Sequence, residues 1–149
     1  MDDQYWGDNT LIDATQEEKQ EHLNYEIEMF RETCNQINIR PKTLFENNLL
    51  FESLPAHIRV LINFFYNDKN EKYPNDLVAQ DFLPVTVNWK DERPQMTALL
   101  KEAKNKADKQ VAHLSLWRVK IERDGKKDCD WINIERDMGI VIKKFEKLK

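Results

Sequence analysis

The sequence predicts an all-α protein: a bundle of four or five mostly antiparallel helices forming a single domain over residues 1–149. Two observations carry this prediction, namely a pair of helix-start signals and three stripes of apolar residues at helical spacing. Composition is a third, because 3 glycines and 5 prolines leave few turns for a sandwich of strands. Helices are expected near residues 16–38, 44–66, 95–116 and 131–147.

The first helix is predicted from a capping box at Thr15 to Glu18, whose hydroxyl and carboxylate would satisfy free N–H groups of the first turn. The apolar stripe that follows at helical spacing consists of Leu23, Ile27, Phe30, Cys34 and Ile37. Residues 1–14 precede this helix and are expected to be loosely ordered. Their acidic and polar start, MDDQYWGDN, is unlike a signal or transit peptide.

The second helix is predicted from another capping box, Thr43 to Glu46. Pro55 lacks an N–H and clashes with the preceding turn, so a kinked or broken helix is expected. Its latter half is apolar on almost every side, which predicts the best-buried segment of the protein. Residues 67–94 form an irregular crossover, expected to pack Phe82 and Trp89 onto the bundle. A connection of this length is often functional.

The third helix carries two small residues, Ala103 and Ala107, which would let a neighbouring helix approach closely. We therefore expect pairing of two copies into a homodimer. Residues 118–130 leave helical spacing and contain the turn signal Asp124-Gly125, which predicts a short hairpin or extended loop. Asp130 is expected to cap the last helix.

Charge is unevenly distributed along a chain whose net charge is −4. Residues 1–32 hold ten acids against two bases, a balance of −8, whereas residues 101–127 hold nine bases against four acids, a balance of +5. The net charge argues against general adhesion to nucleic acid, but the second segment predicts a local basic surface. The alternative is that both charged faces only solvate their helices.

Several classes of function are disfavoured by missing motifs. No apolar run is long enough to span a bilayer, and no glycine-rich phosphate loop or nucleophile elbow is present. Cys34 and Cys129 stand alone, as reduced structural thiols do. These features predict a soluble cytoplasmic protein without a small-molecule cofactor.

Two of the three histidines are interpreted as structural. His22 lies four residues from Glu18 and from Glu26, but Lys19 occupies the place that a helical di-metal motif gives to glutamate. We therefore interpret this cluster as a solvated face and predict no metal site. His57 is expected to be a first-turn residue after Pro55, bonded to a neighbour.

A resemblance to a known family rests on the third predicted helix. Its lysine-rich end, Ala107-Asp108-Lys109-Gln110-Val111-Ala112-His113, leads to Trp117 and a final amphipathic helix. This pattern, over residues 91–149, resembles the HEPN (higher eukaryote and prokaryote nucleotide-binding) superfamily. The rest of the chain is similar only in helix count and order. In that family an Arg-x4–6-His motif, often doubled across a dimer, cuts RNA without a metal ion.

The resemblance implies a catalytic role for three residues of this chain: His113, Asp108 and Lys106. Lys106 stands nearest to the place of the family's arginine, seven residues before His113. Lysine can neutralise a phosphate but lacks the fork that holds two oxygens. The basic residues expected to bind a partner or RNA are Lys101, Lys104, Lys109 and Arg118. As an alternative, His113 only packs against Trp117 and bonds a carbonyl near the helix end.

Two functions from different classes follow. The first is a non-catalytic HEPN-like module that binds a protein or RNA, favoured by the acidic pI of about 5.5 and the absent arginine. The alternative is a metal-independent endoribonuclease of a defence or toxin system, in which His113 acts as general acid or base. The local basic surface and the spacing of Lys109 and His113 favour this second function.

Overall fold

The computed structural model describes residues 10–39, 43–111 and 130–149. The regular secondary structure of these residues is helical, and they contain no strand. The predicted helical bundle is confirmed. These residues form five α-helices and one 3-10 helix, Ala79–Phe82. The α-helices are α1 (Gln16–Ile39), α2 (Leu44–Tyr66), α3 (Trp89–Glu92), α4 (Ala98–Val111) and α5 (Trp131–Leu148). None of the described helices is long and apolar enough to cross a membrane.

Helix α1 begins at the predicted capping box. The Thr15 N–H donates to Glu18 Oε2 over 2.7 Å, and the Glu18 N–H donates to Thr15 Oγ1 over 3.1 Å. The predicted stripe faces the core: four of its members are buried and the fifth packs against them. The order along the chain is Leu23, Ile27, Phe30, Cys34 and the partly buried Ile37.

Helix α2 runs without a break through Pro55, so of the two expected forms, kinked or broken, the broken one is wrong. Burial explains the continuity, because Leu54 and Ile58 on either side of Pro55 are anchored in the core. That packing offsets the one backbone hydrogen bond that proline cannot make. The capping box at the start of α2 is confirmed, with the Thr43 N–H donating to Glu46 Oε2 over 2.9 Å. Helix α2 packs against both α1 and α4.

The crossover at 67–94 packs onto the bundle as predicted. The Trp89 indole N–H donates to the Phe65 carbonyl over 2.6 Å, and Trp89 is buried. Phe82 is the last residue of the 3-10 helix and packs against the core. Edge-to-face contacts join the rings of the aromatic cluster at centroid distances between 4.9 and 6.3 Å. The cluster consists of Phe64, Phe65, Phe82, Trp89 and Phe145.

Helix α4 starts at Ala98, three residues later than predicted. Thr97 provides the physical reason, since its Oγ1 accepts the Leu100 N–H over 3.2 Å as a helix cap does. The predicted continuation to residue 116 and the hairpin at 118–130 lie outside the described residues, apart from Asp130. Asp130 caps α5 as predicted, accepting from the Asn133 N–H.

The amino-terminal part of the predicted loosely ordered segment also lies outside the described residues. From Thr10 onward the backbone is tied to the crossover. Asn75 Oδ1 accepts the Ile12 N–H over 2.8 Å, and Asn75 Nδ2 donates to the Thr10 carbonyl over 3.0 Å.

Candidate functional site

The predicted catalytic residues on α4 are held by ion pairs within the chain. The Asp108 carboxylate receives Lys104 Nζ at 2.8 Å and Arg59 Nε, from α2, at 3.0 Å. Lys106 Nζ lies 2.8 Å from Glu102, one turn earlier on α4. Asp108 therefore links α4 to α2, and Lys106 has a carboxylate partner where the resemblance implies a phosphate.

The remaining residues of the predicted site are only partly placed. Lys101 and Lys109 are exposed on α4. His113 and Arg118 lie outside the described residues. Sequence reasoning missed Arg59, because it lies 49 positions before Asp108 in the chain and no local motif connects the two.

The small-residue stripe of α4 is used inside the chain. Ala103 is 3% exposed and Ala107 is 1% exposed, on the side where α4 packs against α2 and α5. The close approach of helices that these alanines allow therefore occurs within this chain. The predicted homodimer therefore loses the support of these two alanines and stays a prediction.

The two described histidines lie on α1 and α2. His57 is bonded to a neighbour, as predicted, with its Nδ1 donating to Glu26 Oε2 over 2.8 Å. Because α2 is continuous, His57 sits in the middle of a helix and not in a first turn. His22 is exposed on α1. Within the described residues, no group of three His, Cys, Asp or Glu side chains is placed to hold a metal ion.

A cleft of about 840 Å³ lies between α1, the last turns of α2 and the chain that follows them. A volume of this size is typical of a binding site. Its apolar lining consists of Leu23, Val60, Leu61, Phe64, Leu77, Val78 and Phe82. Its polar lining consists of His22, Glu26, Asn63, Tyr66, Asn67, Asp68, Asn70, Tyr73, Asn75 and Asp76. The irregular segment after residue 66 was the one sequence signal for this site, since long connections are often functional.

The cleft has three carboxylates, Glu26, Asp68 and Asp76, and its described lining contains no lysine or arginine. The negative charge of Asp68 is partly compensated by two basic residues that do not line the cleft. Lys90 Nζ donates to Asp68 over 2.7 Å, and Arg93 Nη1 lies 3.8 Å from it. The hydrogen bond from Lys90 is the main cause that holds the Asp68 pKa below its ordinary value.

Helix α2 also carries apolar residues on its solvent side. Phe45 is 71% exposed, Leu49 is 54% exposed and Val60 is 45% exposed. At 100° per residue these three side chains fall within about 60° of one another, opposite the buried face of α2. We call them the outer stripe. Val60 also lines the cleft, so the outer stripe leads directly into it.

A second polar cluster is buried between α2, α4 and α5. Asp137 is 7% exposed and accepts from Thr97 Oγ1 over 2.8 Å and from Arg136 over 2.8 and 3.0 Å. Burial by itself raises the Asp137 pKa, but the bonds from Arg136 and Thr97 outweigh it and the pKa lies below its ordinary value. The Tyr66 hydroxyl is buried without a hydrogen-bond partner among the described residues. Burial raises the pKa of Tyr66.

Searches against protein-family models, curated proteins and solved structures found no match for this chain. The resemblance to the HEPN superfamily therefore stays a prediction.

Proposed function

We propose that this protein is a non-catalytic helical binding module of HEPN-like type. Its binding surface for a protein partner is the outer stripe of α2 together with the adjoining cleft. The supporting observation is the continuity of the two through Val60, which lines the cleft and is 45% exposed on the solvent side of α2.

The outer stripe supports a protein partner because it exposes three large apolar side chains on one face of α2, two near its start and one in its second half. Phe45 and Val60 are 15 residues apart, so the outer stripe extends about 22 Å along α2. A partner helix can lay its own apolar side chains along these residues and insert one end into the cleft. In a common mode of peptide recognition, an amphipathic helix places its apolar face in an apolar groove in this way. Exposed apolar patches rimmed by polar groups mark such interfaces.

The ion pairs of α4 support the absence of catalysis. Lys106 is paired with Glu102 and Asp108 is paired with Arg59 and Lys104, so a phosphate would have to displace carboxylate partners. Lysine at position 106 also lacks the two-pronged contact that arginine makes with phosphate oxygens. The alternative function, a metal-independent endoribonuclease, depends on His113.

The proposal is tested by selecting peptides from a random display library on the purified parent chain. The peptides are about 15 residues long, to match the length of the outer stripe. The comparison protein is the double variant Leu49→Asp/Val60→Asp, which puts charge on the outer stripe at two exposed positions. Its fold is checked by circular dichroism.

We expect sequences that enrich on the parent and not on the double variant. Equal enrichment on both proteins, or none on either, would refute the proposed surface. A parallel incubation of the parent with a mixed RNA pool, without metal, should leave the RNA intact. Cleavage that is lost in His113→Ala while the fold is retained would establish the ribonuclease instead.

A further inference from the structure

We infer that the partner segment is cationic: an amphipathic stretch whose apolar side chains lie on the outer stripe and whose lysine or arginine side chains enter the cleft. This inference rests on the proposed function, because it names the chemistry of the partner that the same surface takes.

The charge around the cleft is the first argument. The cleft is lined by three carboxylates and, among the described residues, by no lysine or arginine. Two lysines outside the lining contact it. Lys90 Nζ donates to Asp68. Lys69 Nζ donates to the Asp76 backbone carbonyl over 2.8 Å, which leaves both carboxylate oxygens of Asp76 without a bond from Lys69. Helix α1, which forms one wall, carries six glutamates against one lysine and one arginine, a balance of −4. A concave surface lined by one sign of charge attracts the opposite sign and repels its own. An acidic segment or a nucleic acid would therefore be disfavoured at this surface.

The placement of two carboxylates is the second argument. Glu26 lies in the wall formed by α1, where the bond from His57 Nδ1 fixes its side chain in position. Asp76 lines the same cleft from the crossover and is exposed. A long, flexible cationic side chain that enters the cleft could therefore meet a carboxylate of α1 or of the crossover.

The amides of the cleft add acceptors for the same kind of group. Asn63, Asn67 and Asn70 line the cleft beside Asp68. The carbonyl oxygen of an asparagine accepts from an ammonium or a guanidinium, which carry only donors. The apolar floor, including Phe64 and Leu61, suits the methylene stem that such a side chain buries.

The test uses the peptides selected on the parent chain. We expect them to carry a net positive charge, with apolar residues at helical spacing. Peptides that enrich on the parent but are neutral or acidic would overturn this inference and leave the proposed surface intact. Failure of any peptide to distinguish the parent from Leu49→Asp/Val60→Asp would instead refute the proposed function itself.

A titration with one selected peptide then locates the charge contacts. The cleft variant is Glu26→Gln/Asp76→Asn, in which glutamine can still bond His57. The matched control is Glu28→Gln/Glu146→Gln, which removes two exposed carboxylates that do not line the cleft.

The cleft variant should weaken binding by about 3- to 10-fold, as loss of two partly screened charge contacts does, and the control by less than about 2-fold. Equal weakening in both variants would mean that the peptide responds only to net charge, and would overturn the inference. An unchanged affinity in the cleft variant would overturn it as well.

Discussion

The two halves of α2 differ in how many of their large apolar residues are buried. In the second half, Ile58, Leu61 and Phe65 face the core and are buried, and the crossover and α5 contribute Trp89 and Phe145 to the same packing. In the first half, Leu44, Phe45 and Leu49 remain exposed. The difference lies in what covers each half, since both stretches are rich in large apolar residues. An apolar run therefore predicts a helix more securely than it predicts burial.

The largest contrast is expected from truncating one phenylalanine in each half. Phe65→Ala removes a ring that is fully buried against Phe64, Trp89 and Phe145, so the free energy of unfolding should fall by about 3–5 kcal/mol. Phe45→Ala removes an exposed ring, and its effect should stay within about 0.5 kcal/mol. Urea unfolding of the two variants measures both. Similar losses in the two variants would show that the first half is part of the core.

The next largest effect on stability is expected at Asp137, the buried carboxylate of α5. Asp137→Ala leaves the Thr97 hydroxyl without its acceptor and removes the bonds from Arg136, which keeps its bond to Asn133. It should lower the free energy of unfolding by about 1–3 kcal/mol. Urea unfolding at neutral pH is the measurement. An unchanged midpoint would mean that water replaces Asp137 at no cost.

The same carboxylate predicts a dependence of stability on pH. The folded pKa of Asp137 lies below its ordinary value, so the stability it contributes is present above the unfolded pKa of about 3.9 and is lost as pH falls through the folded pKa. Asp137→Asn should therefore lose less stability than the parent between neutral pH and about pH 3. Thermal melts at a series of pH values check this, and parallel curves for the two proteins would contradict it.

A small gain is expected from Tyr66→Phe. The substitution removes a buried hydroxyl that has no partner among the described residues and keeps the ring that Arg93 overlies at 5.6 Å. Because an unsatisfied buried polar group costs free energy, the variant should be as stable as the parent or more stable by up to about 1 kcal/mol. A clear loss in thermal stability would show that the hydroxyl is bonded in solution.

The smallest effect on stability is expected from the ion pair that joins α4 to α2. Arg59 and Asp108 form an ion pair that is about two-fifths exposed, and such pairs contribute about 0.2–1 kcal/mol. A double-mutant cycle with Arg59→Ala and Asp108→Ala measures the coupling energy directly. A coupling above this range would give Asp108 a larger structural role than the geometry indicates.

The helices could be predicted because their signals are local. The capping boxes at Thr15 and Thr43 place a hydroxyl and a carboxylate three residues apart, and both form the expected bonds. Pro55 left open whether this helix is kinked or broken, because the burial of Leu54 and Ile58 is a tertiary effect that a local rule for proline does not contain.

The candidate site could be predicted only in part, because it is assembled from distant segments. Its lining comes from α1, α2 and the crossover, and the lining residues Glu26 and Asp76 are 50 positions apart in the chain. No periodicity brings such residues together. The pairing of Asp108 with Arg59 was unpredictable for the same reason, whereas the unusual length of the segment after residue 66 drew attention to the region that lines the cleft.

The most direct test of the proposed surface is a backbone amide NMR titration of the isotope-labelled chain with a selected peptide. We expect chemical-shift changes at Leu49, Val60 and the cleft residue Asp76, while the amides of the exposed α4 residues Lys101 and Lys109 stay unchanged. Changes confined to α4, with none along the outer stripe or in the cleft, would contradict it.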